Sequence, residues 1–341
     1  MSLPAGKTPP LRAVFMGTPD FAARILGRVL ASPLLEVAVV CTQPDRPAGR
    51  GNRLHPPPVK VLALERGLRV LQPRNFGPSP EGEAACRELA AQVPDLLLVA
   101  AYGLLLPRRV LDIPALMPVN VHASLLPRYR GAAPVQRAIM NGDPLTGVSI
   151  MRMETALDAG PILLQRAVGI GLNDTAADLL GELADEGGAL LLEFADRLLA
   201  GALRPIPQDA GRATCAPRLT KEEGRMDFAL PAHALHARIR GLTPWPGALL
   251  TLRRPGREDL AVTAFPGHYP ETGPLPDPAG ADARPDPGAV SGVRGEALLV
   301  RCGDGCYAFP ALRPAGKQRM SGRAFFNGYV KDAPDARFLR P

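Results

Sequence analysis

The amino-acid sequence predicts an α/β fold in two parts. A doubly wound, mainly parallel Rossmann-like sheet is expected over residues 1–204, and a small OB-like β-barrel over residues 218–341, with a linker at 205–217. Two observations support this: apolar strand patterns alternate with helical patterns through the first part, and short strand patterns broken by Gly and Pro fill the second. A chain of 341 residues is long enough for two domains.

The N-terminal part alternates strands and helices in order. Strands are predicted at Arg12–Met16 ("RAVFM"), near Val37–Cys41 ("VAVVC"), and at "LRVLQP", "PDLLLVAAYG", "PALMPVNVHAS", the alternating "TGVSIMRM" and "GPILLQRAV". Helices are predicted from Pro19 onward and at "VKVLALERG", "GEAACRELAAQV", "GAAPVQRAIMNGD" and "NDTAADLLGELADEGGALLLEFADRLL", the last capped by Asn173 or Asp174. The stretch "DRPAGRGNRLHPPPVK" is expected to be a long polar loop.

This alternation also predicts where a ligand binds. In open α/β sheets, ligands lie beyond the carboxyl ends of the strands. The loops that follow Met16, Cys41, Ala101 and Val121 are therefore expected to cluster into one site.

The C-terminal part contains mostly short strand patterns. A short helix is predicted at "PAHALHARIRGL", with strands at "GALLTL", "LAVTAF", "GAVSGV", "ALLVRC" and "CYAFPALRP". Residues 266–288 contain too much Pro and Gly for regular structure, and we assign them no function.

Charge is unevenly distributed along the chain. The net charge is +7, of which Ala216–Pro341 carries +5 from 18 basic and 13 acidic residues. A basic β-module fits a nucleic-acid surface, although a solvated basic face would look the same.

Composition narrows the class of protein. The balance of 46% hydrophobic and 21% charged residues is typical of a globular chain, and no apolar run is long enough for a membrane span. The first residues show no basic start followed by a long apolar stretch, so we expect no secretory signal. The five scattered cysteines suit reduced thiols without a zinc site. We expect a cytoplasmic monomer that requires no metal.

Asn120 and His122 carry the first chemical prediction. Residues two apart on a strand share a face, so both side chains project from the strand end into the predicted crevice. An amide and an imidazole can hold a carbonyl oxygen and stabilise the charge it gains under nucleophilic attack. Asp158, in a loop beside Gly160, can face the imidazole and relay a proton. An ordinary hydrogen-bonded polar pair at a strand end remains the alternative reading.

The residues around this pair resemble a known family. "NVHASLLPRYRGAAPVQRAI", with the later "TGVSIMRMETALDAGPIL", is similar to the signature of folate-dependent formyltransferases. A longer set of motifs resembles the methionyl-tRNA formyltransferase branch in order from Arg12 to Gly328. They are "FMGTPDFAARIL", "TQPDRPAGRG", "PPPVK", "TKEEGRMDF", "LTPWPGALL" and "LRPAGKQRMSGRAFFNG".

The resemblance implies residue roles. Asn120, His122 and Asp158 match the family's catalytic trio. Contacts with 10-formyltetrahydrofolate, the co-substrate, are implied for Ser124, Leu125, Leu126 and Pro127, with Tyr102 lining the same crevice or simply packing. Contacts with the initiator methionyl-tRNA are implied for Arg46, Arg50 and Arg53 of the "QPDRPAGRG" loop region and for Lys317. Asn52 stands where the family usually has a basic residue, so this loop has one charge fewer for phosphate contacts.

Other functions stay open at this point. A 10-formyltetrahydrofolate hydrolase would use a similar Asn-His-Asp site, and a formyltransferase could act on a nucleotide or sugar-nucleotide amine. A non-catalytic RNA-binding protein would explain the charge but not the trio. A nicotinamide dehydrogenase is disfavoured because "FMGTPDF" lacks the G-x-G-x-x-G fingerprint.

Overall fold

The structure is a computed structural model that describes residues 8–48, 53–270, 273–276, 286–333 and 335–341. The chain divides into two compact units. The first comprises Met1–Pro134, Thr146–Val168 and Leu180–Ala216, and the second comprises Val135–Leu145, Gly169–Leu179 and Pro217–Pro341. The division into residues 1–204, 205–217 and 218–341 stays a prediction.

The first unit is built on a seven-stranded sheet with the order β10-β9-β7-β6-β1-β2-β5. Its strands are β1 (Leu11–Gly17), β2 (Leu35–Cys41), β5 (Val70–Leu71), β6 (Leu96–Ala100), β7 (Met117–His122), β9 (Leu145–Arg152) and β10 (Ile162–Gly169). Two small paired ladders complete the unit: β3 (Arg46–Ala48) with β4 (Arg53–His55), and β8 (Arg130–Gly131) with β11 (Cys215–Ala216).

The sheet has the predicted mainly parallel architecture. Strands β7, β6, β1, β2 and β5 run parallel, and β9 joins β7 antiparallel. All five residues of β6 are buried, as its continuous apolar run predicts. The predicted alternation of β9 is wrong, because six of its eight residues are buried. The reason is that both faces of β9 are covered: Gly187 packs against Val148 on one face, and Leu126 and Gln165 are hydrogen-bonded to the Ser149 side chain on the other.

Five helices lie where the sequence predicts them: α1 (Asp20–Leu30), α2 (Pro58–Glu65), α3 (Pro80–Ala91), α5 (Pro134–Met140) and α6 (Ala176–Leu199). The short helix α4 (Arg108–Leu111) is not among those predicted. The predicted cap of α6 is corrected: Thr175 and Asp178 cap it, because the Thr175 hydroxyl accepts from the Asp178 N–H at 3.3 Å and the Asp178 carboxylate accepts from the Thr175 N–H at 3.0 Å. Asp174 instead accepts from the Gly171 N–H. None of the helices in the described part of the chain is both long and apolar enough to cross a bilayer.

The stretch expected to be a long polar loop contains a β-hairpin. Strands β3 and β4 pair antiparallel, with Arg46 opposite His55. An ion pair of 2.8 Å between Lys60 and Asp45 fixes the base of this hairpin, and Gln72 donates to the same carboxylate at 2.8 Å. The hydrogen bonds from Lys60 and Gln72 hold the pKa of Asp45 below its usual value. The prolines and glycines that predicted a loop concealed this pairing, which depends on contacts with α2 and β5.

The second unit contains antiparallel strands in two sheets. Its strands are β12 (Ala248–Arg253), β13 (Leu260–Ala264), β14 (Val290–Arg294), β15 (Ala297–Cys302), β16 (Gly305–Phe309), β17 (Ala311–Pro314), β18 (Met320–Ser321) and β19 (Arg337–Phe338). Helices α7 (Ala232–Gly241) and α8 (Gly322–Tyr329) pack with them, and single 3₁₀ turns lie at Ala210–Arg212 and Glu222–Gly224.

The two sheets join on both sides, which gives the predicted barrel-like arrangement. On one side, Gly288 accepts from the Phe338 N–H at 2.8 Å and donates to the Arg301 oxygen at 3.0 Å. Gly288 has a φ of +93°, and a Cβ there would overlap the Phe338 backbone, so this seam requires glycine. On the other side, the chain passes from β16 through Pro310 directly into β17.

A buried polar chain ties α7 into the second unit. The His236 ring is only 1% exposed and stacks on Tyr269 at 5.2 Å. Its Nε2–H donates to the Leu172 oxygen at 3.0 Å, so its Nδ1 accepts from the Tyr307 hydroxyl at 2.9 Å. The Tyr307 oxygen in turn accepts from the Gly267 N–H at 3.0 Å. A proton on Nδ1 would oppose the hydrogen that Tyr307 donates, so the hydroxyl would have to turn away and lose its acceptor.

The buried hydrogen bonds of His236 predict that acid destabilises the fold. Burial, with the nearby charge of Arg240, lowers the pKa of His236 from 6.5 to about 4. Because the folded-state pKa lies below the unfolded value, the stabilisation is complete above pH 6.5 and is lost as the pH falls towards 4. The loss amounts to about 3 kcal/mol.

The measurement is the urea-derived free energy of unfolding between pH 7 and pH 4 for wild type and His236→Gln. The difference between the two proteins is expected to shrink across that interval, because glutamine does not titrate. Parallel curves would contradict a role for His236.

Candidate active site

Strand β7 presents Asn120 and His122 on one face, as predicted. The whole strand is buried, and the two residues are 9% and 6% exposed. Asn120 is paired with Val99 of β6 and with Met151 of β9, and His122 lies opposite Ser149 of β9. The two polar side chains are therefore held by strands on both sides, at the carboxyl end of the parallel sheet.

Both nitrogens of the His122 ring face oxygen atoms. Nε2 lies 2.9 Å from the Tyr129 carbonyl oxygen, and Nδ1 lies 3.7 Å from Oδ2 of Asp158. A carbonyl oxygen can only accept, so Nε2 carries a hydrogen, and in neutral imidazole Nδ1 then presents a lone pair to the carboxylate. The pair therefore presents two acceptors that can both receive a hydrogen bond from an N–H donor.

Asp158 is held in an uncommon backbone conformation. It lies between β9 and β10 with a φ of +48°, a region that non-glycine residues seldom adopt. Its Oδ2 accepts a hydrogen bond of 2.8 Å from the Gly131 N–H, and its side chain is only 11% exposed. The separation of 3.7 Å from His122 Nδ1 is longer than a hydrogen bond.

The Ser124–Pro127 loop is fixed by buried hydrogen bonds. The Ser124 hydroxyl donates to the backbone oxygen of Arg128 at 2.7 Å. This partner is structural, because a carbonyl oxygen cannot act as the base that a nucleophilic serine needs. Ser149 donates to the Ser124 oxygen at 2.6 Å and accepts from the Leu126 N–H at 3.1 Å. Gln165 donates to Ser149 and to the Leu126 oxygen at 2.8 and 2.9 Å. Sequence reasoning missed Ser149 and Gln165, although each is a polar residue within an apolar strand.

Ser149→Ala is expected to lower the free energy of unfolding by about 1–3 kcal/mol, because it leaves the buried Leu126 N–H without its acceptor. Chemical denaturation of both proteins measures this. Ser32→Ala is the matched control: its hydroxyl accepts from the Leu34 N–H, a local hydrogen bond two residues away. A loss no larger than that of the control would show that the loop does not depend on Ser149.

The loops after β1, β2 and β6 meet at the Tyr102 carbonyl, which confirms part of the predicted cluster. That oxygen accepts from the Thr18 hydroxyl and from the Gln43 amide, both at 2.9 Å. The Tyr102 ring is 2% exposed and packs 6.3 Å from Phe76. Burial raises the pKa of its phenol, and the hydroxyl has no hydrogen-bond partner among the described residues. Contact between this ring and a ligand stays a prediction.

A cavity of about 370 Å³ borders the same face of β7. Pro118 lines it and shares its strand face with Asn120 and His122. Its lining residues are Arg108, Leu111, Asp112, Pro118, Arg152, Met153, Glu154 and Thr155. The cavity therefore combines apolar walls with charged groups near the first residues of β7. In the described part of the chain, no cluster of three His, Cys, Asp or Glu side chains has the arrangement of a metal site.

The four basic residues assigned to tRNA have different placements. Arg46 is exposed on β3 and donates to the Gln43 side chain, and Lys317 is exposed in the turn between β17 and β18 of the second unit. Arg53 is on β4, paired with Ala48. Arg50 and Asn52 lie outside the described residues. The contacts of all four with tRNA stay predictions.

Known proteins share both the fold and the sequence. A family model described as formyl transferase matches residues 11–194, and one described as the formyl transferase C-terminal domain matches residues 218–330. The methionyl-tRNA formyltransferase of Nitratidesulfovibrio vulgaris strain DP4 is 50% identical over 321 residues, 94% of each chain. That of Pseudomonas fluorescens strain Pf-5 is 43% identical over 320 residues, with the same coverage.

Solved structures share the fold at lower identity. HypX from Aquifex aeolicus in complex with tetrahydrofolic acid has a TM-score of 0.59 at 18% identity, over 95% of this chain and 48% of that one. WlaRD, a sugar 3N-formyl transferase, has a TM-score of 0.57 at 14% identity, over 91% of this chain and 100% of that one. These likenesses concern the fold alone. Sequence identity decides the family: the chain belongs to the formyl transferases, and among them to the methionyl-tRNA formyltransferase family.

Proposed function

We propose that this protein transfers the formyl group of 10-formyltetrahydrofolate to the α-amino group of methionine on initiator methionyl-tRNA, for translation initiation. The observation that carries the proposal is the His122–Asp158 pair at 3.7 Å, in a chain 50% identical over 94% of its length to a methionyl-tRNA formyltransferase. The pair supplies the proton acceptor that attack by an amine requires.

The residues of the site suit each step of the transfer. As the amine attacks the formyl carbon, the Asn120 amide donates a hydrogen bond to the oxygen that becomes negative. The His122–Asp158 pair takes the proton that the attacking nitrogen releases. When the bond between the formyl carbon and N10 breaks, the pair returns that proton to N10. The products are formylmethionyl-tRNA and tetrahydrofolate, and the pair ends as it began.

The cavity beside β7 suits the ring system of the folate. Leu111 and Met153 offer apolar contact to a flat ring, and the Asp112 and Glu154 carboxylates can accept from amino and ring N–H groups. The loop of Ser124, Leu125, Leu126 and Pro127 follows the other end of β7, and Leu126 lies in a buried cluster against which Met153 of the cavity wall also packs. The Tyr102 hydroxyl is a further unused donor. We assign these groups to the co-substrate.

Basic groups on both units suit the tRNA. Arg46 and Lys317 are exposed, and residues 216–341 carry a net charge of +5. Exposed Arg and Lys side chains bind phosphates, and such binding weakens as salt rises. We assign Arg46, Arg50, Arg53 and Lys317 to the tRNA.

The test is a formylation assay with purified protein, 10-formyltetrahydrofolate and initiator methionyl-tRNA. Formylmethionine on the tRNA, with one tetrahydrofolate formed for each, is the expected result. Uncharged initiator tRNA is the control, because it has the same phosphates but lacks the methionine amine. No product from the charged tRNA would overturn the proposal.

The same assay separates the alternatives. Formate release at the same rate without tRNA would identify a 10-formyltetrahydrofolate hydrolase. Formylation of an amino-sugar nucleotide, with none of methionyl-tRNA, would identify a nucleotide-sugar formyltransferase.

We further propose that the protein works as a monomer in the cytoplasm. Its relatives are named for a reaction on tRNA, and a single chain contains every residue assigned to the site. Sedimentation equilibrium should give a mass near 36.1 kDa. A stable dimer would contradict the monomer.

A further inference from the structure

The segment Ile206–Ala216, which sequence reasoning treats as a linker, is hydrogen-bonded to both loops that hold the His122–Asp158 pair. We infer that Gln208 is a positioning residue that sets the Asp158 loop against His122. This inference rests on the proposed function. It assigns a role in the reaction to a side chain that touches neither substrate nor reacting atoms.

Both ends of the Gln208 side-chain amide are hydrogen-bonded, the nitrogen to one loop and the oxygen to another. Its Nε2 donates to the backbone oxygens of Asp158 and Gly160, at 2.8 and 2.7 Å. Its Oε1 accepts from Nε and Nη2 of Arg130, at 3.1 and 2.7 Å. The partners are carbonyls on one side and a guanidinium on the other, so the amide has a single orientation. Gln208 thus joins the loop after β9 to the loop after β7.

The Asp158 loop needs such a partner. Asp158 has a φ of +48°, and residues in this region keep their conformation only when their surroundings impose it. The Gly131 N–H fixes the carboxylate at 2.8 Å, and Gln208 fixes the backbone on both sides of Ala159. Without Gln208, the backbone oxygens of Asp158 and Gly160 lose the donor they share. The Asp158 carboxylate keeps its hydrogen bond from the Gly131 N–H.

The same segment holds the other half of the pair. Tyr129 also has a positive φ, +61°, and its carbonyl oxygen accepts from His122 Nε2 at 2.9 Å. The Tyr129 N–H donates to the Thr214 hydroxyl at 2.8 Å, and the Ala216 oxygen accepts from the Ala133 N–H at 3.1 Å. Residues 206–216 therefore contact the loops on both sides of the proton-accepting pair.

The variant Gln208→Leu removes all four bonds at similar volume, and Gln208→Glu keeps the Arg130 contact but turns an acceptor towards the two carbonyls. Both are expected to lower kcat by about 100-fold, since a displacement of about 1 Å at a reacting group costs that much. The KM values for both substrates should change by less than about threefold, because Gln208 contacts neither.

A double-mutant cycle with Asp158→Asn distinguishes positioning from general destabilisation. If Gln208 acts through Asp158, Gln208→Leu should cause little further loss of single-turnover rate in the Asp158→Asn background. Equal fractional losses in the two backgrounds would overturn the inference. So would a wild-type kcat in Gln208→Glu, the variant that keeps the Arg130 contact and with it the fold.

Gln92→Glu is the matched control. Its Nε2 also donates to a backbone carbonyl, that of Glu88 at 3.3 Å, and it lies at the end of α3 outside the site. It should keep wild-type kcat. If wild type and Gln92→Glu transfer no formyl group, the proposed function fails. If both transfer it and the Gln208 variants do so equally well, only the present inference fails.

Discussion

Formyl transfer by His122→Ala is expected to be slower than wild type by about 10²–10⁴-fold in kcat, the usual contribution of a positioned general acid–base group. The substitution removes the Nδ1 atom that faces Asp158 and the Nε2–H that donates to Tyr129. The proton released by the attacking amine then has only the carboxylate and water as acceptors. No loss of tRNA affinity is expected, because the ring is 6% exposed at the strand end.

The measurement pairs single-turnover formylation with a tRNA-binding titration. His233→Ala is the control, because His233 is exposed on α7 in the second unit. If tRNA binding by His122→Ala fell by the same factor as transfer, the catalytic assignment of His122 would be wrong.

Gly160→Ala should nearly abolish transfer as well, through the backbone. A Cβ at Gly160 would overlap the backbone oxygen of Arg152, the last residue of β9. Neither backbone can move freely: the Arg152 N–H donates to the Pro161 oxygen at 3.0 Å, and the Gly160 oxygen accepts from Gln208. The loop must shift, and Asp158, two residues earlier, shifts with it. A fall in kcat of about 100-fold is expected, with about 1–3 kcal/mol lost from the free energy of unfolding.

Gly169→Ala is the control for this steric argument. Gly169 ends β10, and a Cβ there meets no atom within 4 Å. Steady-state kinetics and chemical denaturation of both variants make the comparison. Unchanged kcat in Gly160→Ala would show that the loop tolerates displacement and that the position of Asp158 is not critical.

The architecture of the first unit could be predicted because it depends on local patterns. The five buried residues of β6 form a continuous apolar run, and α5 lies within the predicted "GAAPVQRAIMNGD" helix. Features that depend on distant contacts were missed. The β3–β4 hairpin depends on Lys60 and Gln72, and the burial of β9 depends on the distant residues that cover its two faces.

The features of the candidate site also differ in whether local sequence or tertiary contacts determine them. The sequence by itself determined that Asn120 and His122 share a strand face, because side chains alternate along any strand. It also determined the family, through motifs spread over most of the chain. Only the tertiary structure decided that Nδ1 of His122 faces Asp158, 36 residues later, and that Gln208 and Thr214 hold the loops around the pair. Asp158 and Tyr129 adopt a positive φ that local sequence disfavours. Such conformations persist only where distant residues supply the hydrogen bonds, and no local pattern contains that information.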